Sequence, residues 1–290
     1  MPHQAHASAC DTLGRDPSLR FQDDTPLSPS LVRAASATIA LMPLFDVVIP
    51  ARDEASTIGP VVRSARRARG VGEVIVVNDG SSDNTAEVAT EAGARVVPSN
   101  GSGSKARALA TGVEQTRSDV LVFFDADILG SLPEHFEALA TPVIEEDFMM
   151  CCGLVDYGRL RNGLFLRLPP ITGLRAVRRE VFDAVPEQKR NGFQIEIMIN
   201  EVIARGGLST AIRLLSGTGH RSKVDKDGWL KGGRSHLAMT LELLECFRLV
   251  PLWTYRSYLR SLSVLPPSGM AMDERSNMQG EIESEPGPDS

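Results

Sequence analysis

The chain has 290 residues, 42% of them hydrophobic and 23% charged, with a formal net charge of −6; this excludes wholesale disorder and fibrous structure and allows one sizeable domain with appendages. Its four cysteines, Cys10, Cys151, Cys152 and Cys246, are irregularly placed, so neither a disulfide framework nor a CxxC metal site is read from them. Three Arg and four Asp in residues 1–43, with one Arg and six acids in 271–290, leave a charge-balanced centre that lacks the basic face of a nucleic-acid binder.

Met1–Asp24 shows neither the basic start nor the apolar run of a leader, and no uncharged stretch reaches the roughly 18 apolar residues of a membrane span. A cytoplasmic protein is expected. The compositions of residues 1–43 and 266–290 predict flexible tails. From Phe45 onward, short β-branched runs alternate with helical patterns. Asp46–Pro50 is read as a strand, Ser56–Arg69 as a helix, Glu73–Val77 as a strand and Asn84–Ala92 as a helix. Then follow a strand at Ala94–Val97, a helix over Lys105–Thr116 and a strand at Asp119–Phe124. Such runs predict βαβ units, hence an α/β fold whose mostly parallel sheet carries helices on both faces. The domain is placed over 44–225, with a helical extension over 226–265.

Parallel sheets bind ligands at the carboxyl ends of their strands, where the chain order reverses. The polar residues gather there: Ala51-Arg52-Asp53-Glu54, Asn78-Asp79-Gly80-Ser81-Ser82-Asp83, Asn100-Gly101-Ser102-Gly103-Ser104-Lys105 and Asp125-Ala126-Asp127. Asp125 and Asp127, one residue apart at a strand end, can converge on a hard divalent cation and leave room for phosphate oxygens. Asp79 offers an acceptor for the ring NH of a base. Glu54 suits a ribose, or a first helical turn; Ser81, Ser82 and Asp83 are read as helix caps. Gly101, Gly103 and Ala106 match a dinucleotide fingerprint, but after the third strand and not the first, with Lys105 inside it, so the loop is read as a phosphate approach.

VVIPARDEASTI, VIVVNDGSSDNTAEVA, SKARALATGV and VLVFFDAD, in this order over residues 46–130, resemble the nucleotide-sugar half of family 2 type glycosyltransferases with the GT-A fold. The resemblance implies an NDP-sugar donor, UDP- or GDP-linked, and Mg²⁺ or Mn²⁺ held through Asp127 with Asp125 in support. It also implies that Pro50, Ala51 and Glu54 line the nucleoside, that Asp79 meets the base, and that Gly103 and Lys105 form the donor side of the loop. Arg52-Asp53 stands where the family commonly has an aromatic-Asn pair, Asn78 replaces the first Asp of DDGS, and Ser104 replaces the Gly before Lys105.

Ile171–Ala176, followed by Arg178-Arg179-Glu180, and Asn191–Glu196 resemble segments of dolichol-phosphate-mannose-type synthases and glucosyl-3-phosphoglycerate synthases. That likeness assigns Gly173 and Arg175 to the acceptor; Glu196 suits an acceptor or sugar hydroxyl, and would be the candidate base of an inverting reaction, whereas a retaining one would not need it. The likeness also makes His220 a further metal ligand. The Arg175, Arg178, Arg179 cluster is read as a partner for an anionic acceptor or, in part, as a solvated helix surface.

Residues 221–262 carry eight basic and four acidic residues, with Trp229, Trp253, Tyr255 and Tyr258. This pattern suits either an interfacial helix at a membrane surface or, through Leu237, Leu241, Leu244 and Phe247, packing on the domain or in a homodimer. A small soluble anionic acceptor is favoured over a lipid phosphate. A polyprenyl-phosphate glycosyltransferase, a non-catalytic nucleotide-sugar-binding subunit and an NAD(P)-dependent oxidoreductase remain as alternatives.

Overall fold

The computed structural model describes residues 44–99, 103–157, 162, 172–187, 190, 195–220 and 252–268. The strands are β1 (Phe45–Ala51), β2 (Val71–Asn78), β3 (Arg95–Pro98), β4 (Val120–Phe123), β5 (Ile128–Leu129), β6 (Met150–Val155), β7 (Arg175–Arg178), β8 (Thr210–Leu215), β9 (Gly219–His220) and β10 (Leu262–Leu265). The helices are α1 (Ile58–Arg67), α2 (Thr85–Glu91), α3 (Lys105–Glu114), α4 (Pro133–Glu145), α5 (Arg179–Asp183), α6 (Ile195–Gly206) and α7 (Leu252–Ser261). Every strand and helix expected between 46 and 124 is present, with ends shifted by a residue or two.

Eight strands form one sheet in the order β10-β8-β6-β7-β4-β1-β2-β3. β1 pairs in parallel with both β2 and β4, and β6, β8 and β10 are mutually parallel. β7 alone runs the other way, between β4 and β6. β5 and β9 make a separate antiparallel pair, with Ile128 opposite His220 and Leu129 opposite Gly219.

The central strands are buried on both sides, which is why they read as continuous β-branched runs. Val47, Ile49, Val74, Val76 and Val122 pack with Ile58, Val61 and Ala89 of α1 and α2 and with Phe136 and Leu139 of α4. On the opposite face Val48, Ile75, Val77, Leu121 and Phe123 meet Leu109 and Val113 of α3, Phe182 of α5, Ile199 and Ile203 of α6 and Tyr258 of α7. Fully burying each such side chain contributes about 1.5–3 kcal/mol. α1 shows how the pattern selects the element: Ile58, Val61, Val62 and Ala65 form one buried helical stripe, and Arg66 and Arg67 lie in the last turn, where a cation favours the carboxyl end of the helix dipole.

Two boundaries differ from expectation. Leu262–Leu265 of β10 pairs with Thr210–Arg213 of β8, so the sheet continues past residue 225 and 226–265 is not a purely helical extension. Ser268 is buried, and its backbone N–H donates to Leu214 while its hydroxyl accepts from Ser216 N–H, so the chain is still docked on the domain beyond 265. The stretch with Trp229, Leu237, Leu241, Leu244 and Phe247 lies outside the described residues, as do the side chains of Trp253 and Tyr255.

Candidate active site

β1 is flanked by β2 on one side and β4 on the other, so the chain order reverses between β1 and β4 and a crevice opens at their carboxyl ends. Pro50 and Ala51 end β1 there; Asp125-Ala126-Asp127 follows β4, with Ala126 buried and both carboxylates partly exposed. The antiparallel β5–β9 pair begins one residue after Asp127 and brings the His220 backbone opposite Ile128.

The loops after β1 and β2 are fastened to each other. Asp53 adopts a left-handed backbone, φ 54°, which Asp tolerates better than most residues. Its Oδ1 accepts from Ser82 N at 2.7 Å and Ser82 Oγ at 2.9 Å. The backbone bond from Ser82, then its hydroxyl, holds the Asp53 carboxyl below its ordinary range. Ser81 Oγ accepts from Asp53 N and donates to Asn78 Oδ1. The expected capping role of Ser81 and Ser82 is therefore corrected: they tie the two loops together, and Asn84 occupies the α2 cap without a side-chain bond. Asp83 remains at the helix start, accepting from Thr85 N and Ala55 N.

Glu54 lies at the start of α1, where its Oε2 accepts from Thr57 Oγ1 at 2.9 Å and its backbone N–H donates to Thr85. Asp79 is buried at the end of β2; its N–H donates to Ala51 O, and one carboxylate oxygen accepts from the Ser99 hydroxyl. Gly103 precedes α3 with φ +66°. Ser104 caps that helix through Arg107 N.

Lys105, the first residue of α3, reaches into the crevice. Its Nζ lies 2.6 Å from Asp125 Oδ1 and 3.2 Å from Glu196 Oε1, with side-chain exposures of 24%, 18% and 8% respectively. Burial alone would lower the Lys105 pKa, but the Asp125 and Glu196 carboxylates outweigh it and hold the ammonium above its ordinary range. Gly173 leaves the space for this cluster, since a Cβ there would collide with the Lys105 ammonium and lie 2.5 Å from both Asp125 carboxylate oxygens. Lys105, Asp125, Gly173 and Glu196 are thus brought together from four separate segments.

The arginine cluster is corrected. Arg175 is 1% exposed, and its guanidinium donates to Thr172 O, Glu196 O and Asn200 Oδ1, so it cannot meet an acceptor. It fastens the Thr172-Gly173 turn to the start of α6. Arg179 donates to the carbonyls of Val113, Thr116 and Ser118, and Arg178 to that of Val143. Residues 191–194 and the side chain of His220 lie outside the described residues.

Tyr157, just past β6, was not anticipated. Burial first, then the charges of Asp127 and Asp125, raise its phenol pKa. Its only sequence signal was an Asp-Tyr step closing an apolar run.

The protein-family model for glycosyl transferase family 2 matches residues 46–196, just over half the chain. The chain is 28% identical over 194 residues to a glucosyl-3-phosphoglycerate synthase of Mycolicibacterium paratuberculosis, covering 54% of this chain and 59% of that one. It is 39% identical over 119 residues to a 4,4'-diaponeurosporenoate glycosyltransferase of Staphylococcus haemolyticus, covering 39% of this chain and 32% of the relative. It therefore spans between about a third and three fifths of these curated relatives. Among solved structures, it resembles Mycobacterium tuberculosis glucosyl-3-phosphoglycerate synthase in complex with Mn²⁺, UDP-glucose and phosphoglyceric acid, with TM-score 0.54, 26% identity, and 69% and 78% of the two chains covered. The complex of that enzyme with Mg²⁺ and UDP gives TM-score 0.54, 27% identity, and 66% and 75% coverage.

Proposed function

The chain belongs to glycosyl transferase family 2, and on that footing we propose that it transfers a sugar from a UDP- or GDP-linked donor to a hydroxyl of a soluble anionic acceptor. The observation that carries this reading is the meeting of Asp125-Ala126-Asp127, Lys105 and Glu196 at the β1–β4 switch point. Family membership displaces the oxidoreductase alternative.

The residues present fit a hard divalent cation such as Mg²⁺ or Mn²⁺. Asp127 offers oxygen donors at the crevice mouth, and His220 stands across the β5–β9 pair. Asp125 and Asp127, one residue apart after β4 and both partly exposed, are hard oxygen donors of the kind that leave the rest of an ion's shell to phosphate oxygens and water. Asp127 and His220 would hold such an ion, which would supply charge neutralisation to the departing diphosphate.

The chain's own residues then divide the remaining work. Pro50 and Ala51 wall the nucleoside, Glu54 and Asp79 accept hydrogen bonds from ribose and base, and Gly103 leaves the loop open. Lys105 holds Asp125 and Glu196 in fixed positions, which spares reorganisation as the glycosidic bond breaks. Glu196 accepts a hydrogen bond from the attacking or a sugar hydroxyl at the Gly173 turn. Support for an anionic acceptor comes from the phosphoglyceric acid in the related crystal structure. The cation that meets that acceptor is not Arg175, which is buried.

Turnover of UDP-, GDP- and ADP-sugars with Mg²⁺ or Mn²⁺, with 3-phosphoglycerate or a polyprenyl phosphate as acceptor, tests this reading. Metal-dependent transfer to the soluble acceptor supports it. Transfer to the lipid phosphate alone would favour the membrane-surface reading, and donor binding without turnover the non-catalytic one.

A further inference from the structure

Lys105 occupies the position at which a cation would meet the donor, yet its ammonium is engaged by two carboxylates, at 2.6 and 3.2 Å. A second cation stands at the same mouth. Arg52 follows Pro50-Ala51 at the end of β1 and is exposed. Its guanidinium reaches the loop that leads into α3, where a Cβ built on Gly103 would lie 2.7 Å from Arg52 Nη1. It attracts the adjacent Asp53 carboxylate by charge, the smallest of the influences acting on that carboxyl. The neighbouring Asp53 carboxylate is engaged by Ser82 on the β2 side.

We propose that Arg52 is the residue of this chain that meets the donor's diphosphate, an inference that rests on the nucleotide-sugar reading above. The acids gathered at the crevice, Asp79, Asp125, Asp127 and Glu196, outnumber Lys105, so an arriving diphosphate is favoured by a side-chain cation, beside the metal ion, that is not held between two carboxylates as Lys105 is. A guanidinium is always charged, and its planar fork matches phosphate oxygens. Gly103 fits this arrangement: its positive φ and missing Cβ let the Arg52 side chain lie against the loop backbone.

Binding of UDP, GDP and uridine to the full chain, with Mg²⁺ or Mn²⁺ present, tests the proposal, with calorimetry for the nucleotides and ligand-observed NMR for uridine. Arg52→Ala is expected to weaken the nucleoside diphosphate that binds by about ten- to a hundredfold and to flatten its salt dependence. Uridine binding and the melting temperature should not change, and Arg52→Lys should recover part of the loss. Unchanged diphosphate affinity in Arg52→Ala, or equal loss for UDP and uridine, would overturn the proposal and leave the nucleotide-sugar reading standing. Wild-type protein that binds neither diphosphate would overturn both.

Discussion

Lys105 Nζ lies 2.6 Å from Asp125 Oδ1, the first acid of the pair that follows β4, and 3.2 Å from Glu196 Oε1 at the start of α6. One cation thereby joins the loop that follows β4 to the start of α6, about seventy residues further along the chain. Remove it, and two largely buried carboxylates are left without a counter-charge.

Lys105→Met should therefore destabilise the protein by about 2 kcal/mol, below the several kcal/mol of a fully buried pair because the cluster is partly solvated. The sign with pH follows from the raised pKa of the ammonium. A raised pKa in the folded state gives stabilisation that is complete below the unfolded value of about 10.4 and is lost as pH rises through the folded value. The difference in melting temperature between wild type and Lys105→Met should stay level between about pH 7 and 9 and shrink only in strongly alkaline solution. A difference that already vanishes near neutrality would mean that the ion pairs do not form in solution.

Gly173→Ala places a methyl group against the Lys105 ammonium and the Asp125 carboxylate. Overpacking of this kind costs about 1–3 kcal/mol, and here the flexible Lys105 side chain is the part that yields. Transfer should fall at least about tenfold while the melting temperature drops by only a few degrees. Steady-state kinetics beside a thermal melt separates the two effects. Wild-type turnover in Gly173→Ala would show that the Lys105–Asp125 contact has no part in the reaction.

Arg175→Met tests the reassignment of the arginine cluster. The substitution removes a buried guanidinium that donates to the carbonyls of Thr172 and Glu196 and to the amide oxygen of Asn200, a loss of about 2–4 kcal/mol. The midpoint of chemical denaturation should fall accordingly. Arg178→Ala, by contrast, should leave the acceptor KM unchanged, because that side chain reaches the Val143 carbonyl and Asp147. A selective rise in acceptor KM for Arg178→Ala would restore the cluster as an anion site.

The parts of the molecule that could be read from sequence are those set by local pattern. VVIP, VIVV and VLVF are buried on both faces and declare themselves as strands, and the acids that follow them could only emerge at the sheet's carboxyl edge. Arg175 could not be read this way, since the direction of its side chain depends on β7 pairing antiparallel with β4 and β6. Opposite Phe123 and Cys152 in that register, it falls on the inner α6 side. Ser81 and Ser82 had the local signature of caps, and only the left-handed turn at Asp53 draws them to the neighbouring loop. β10 escaped notice because its partner, β8, lies about fifty residues earlier in the chain.

The last expectation concerns Asp127. Its carboxylate lies at the crevice mouth, next to the Ile128–His220 pairing and close enough to Tyr157 to help raise that phenol's pKa. Binding of UDP or GDP should require a divalent ion and be abolished by a chelator, because Arg52 alone does not balance a diphosphate brought against Asp125, Asp127 and Glu196 with Lys105 already engaged. Asp127→Asn keeps the shape of the side chain and removes its charge, so the fold and melting temperature should be retained. Transfer should fall by at least about a hundredfold, the scale on which removing one electrostatic stabiliser of a leaving group acts. His220→Ala should weaken metal-dependent nucleotide binding in the same direction but less, since the Asp127 carboxylate remains to hold the ion. Calorimetric titration of Mn²⁺ and nucleotide into wild type and both variants measures each effect; tight binding in the presence of chelator, or full turnover by Asp127→Asn, would refute the metal assignment.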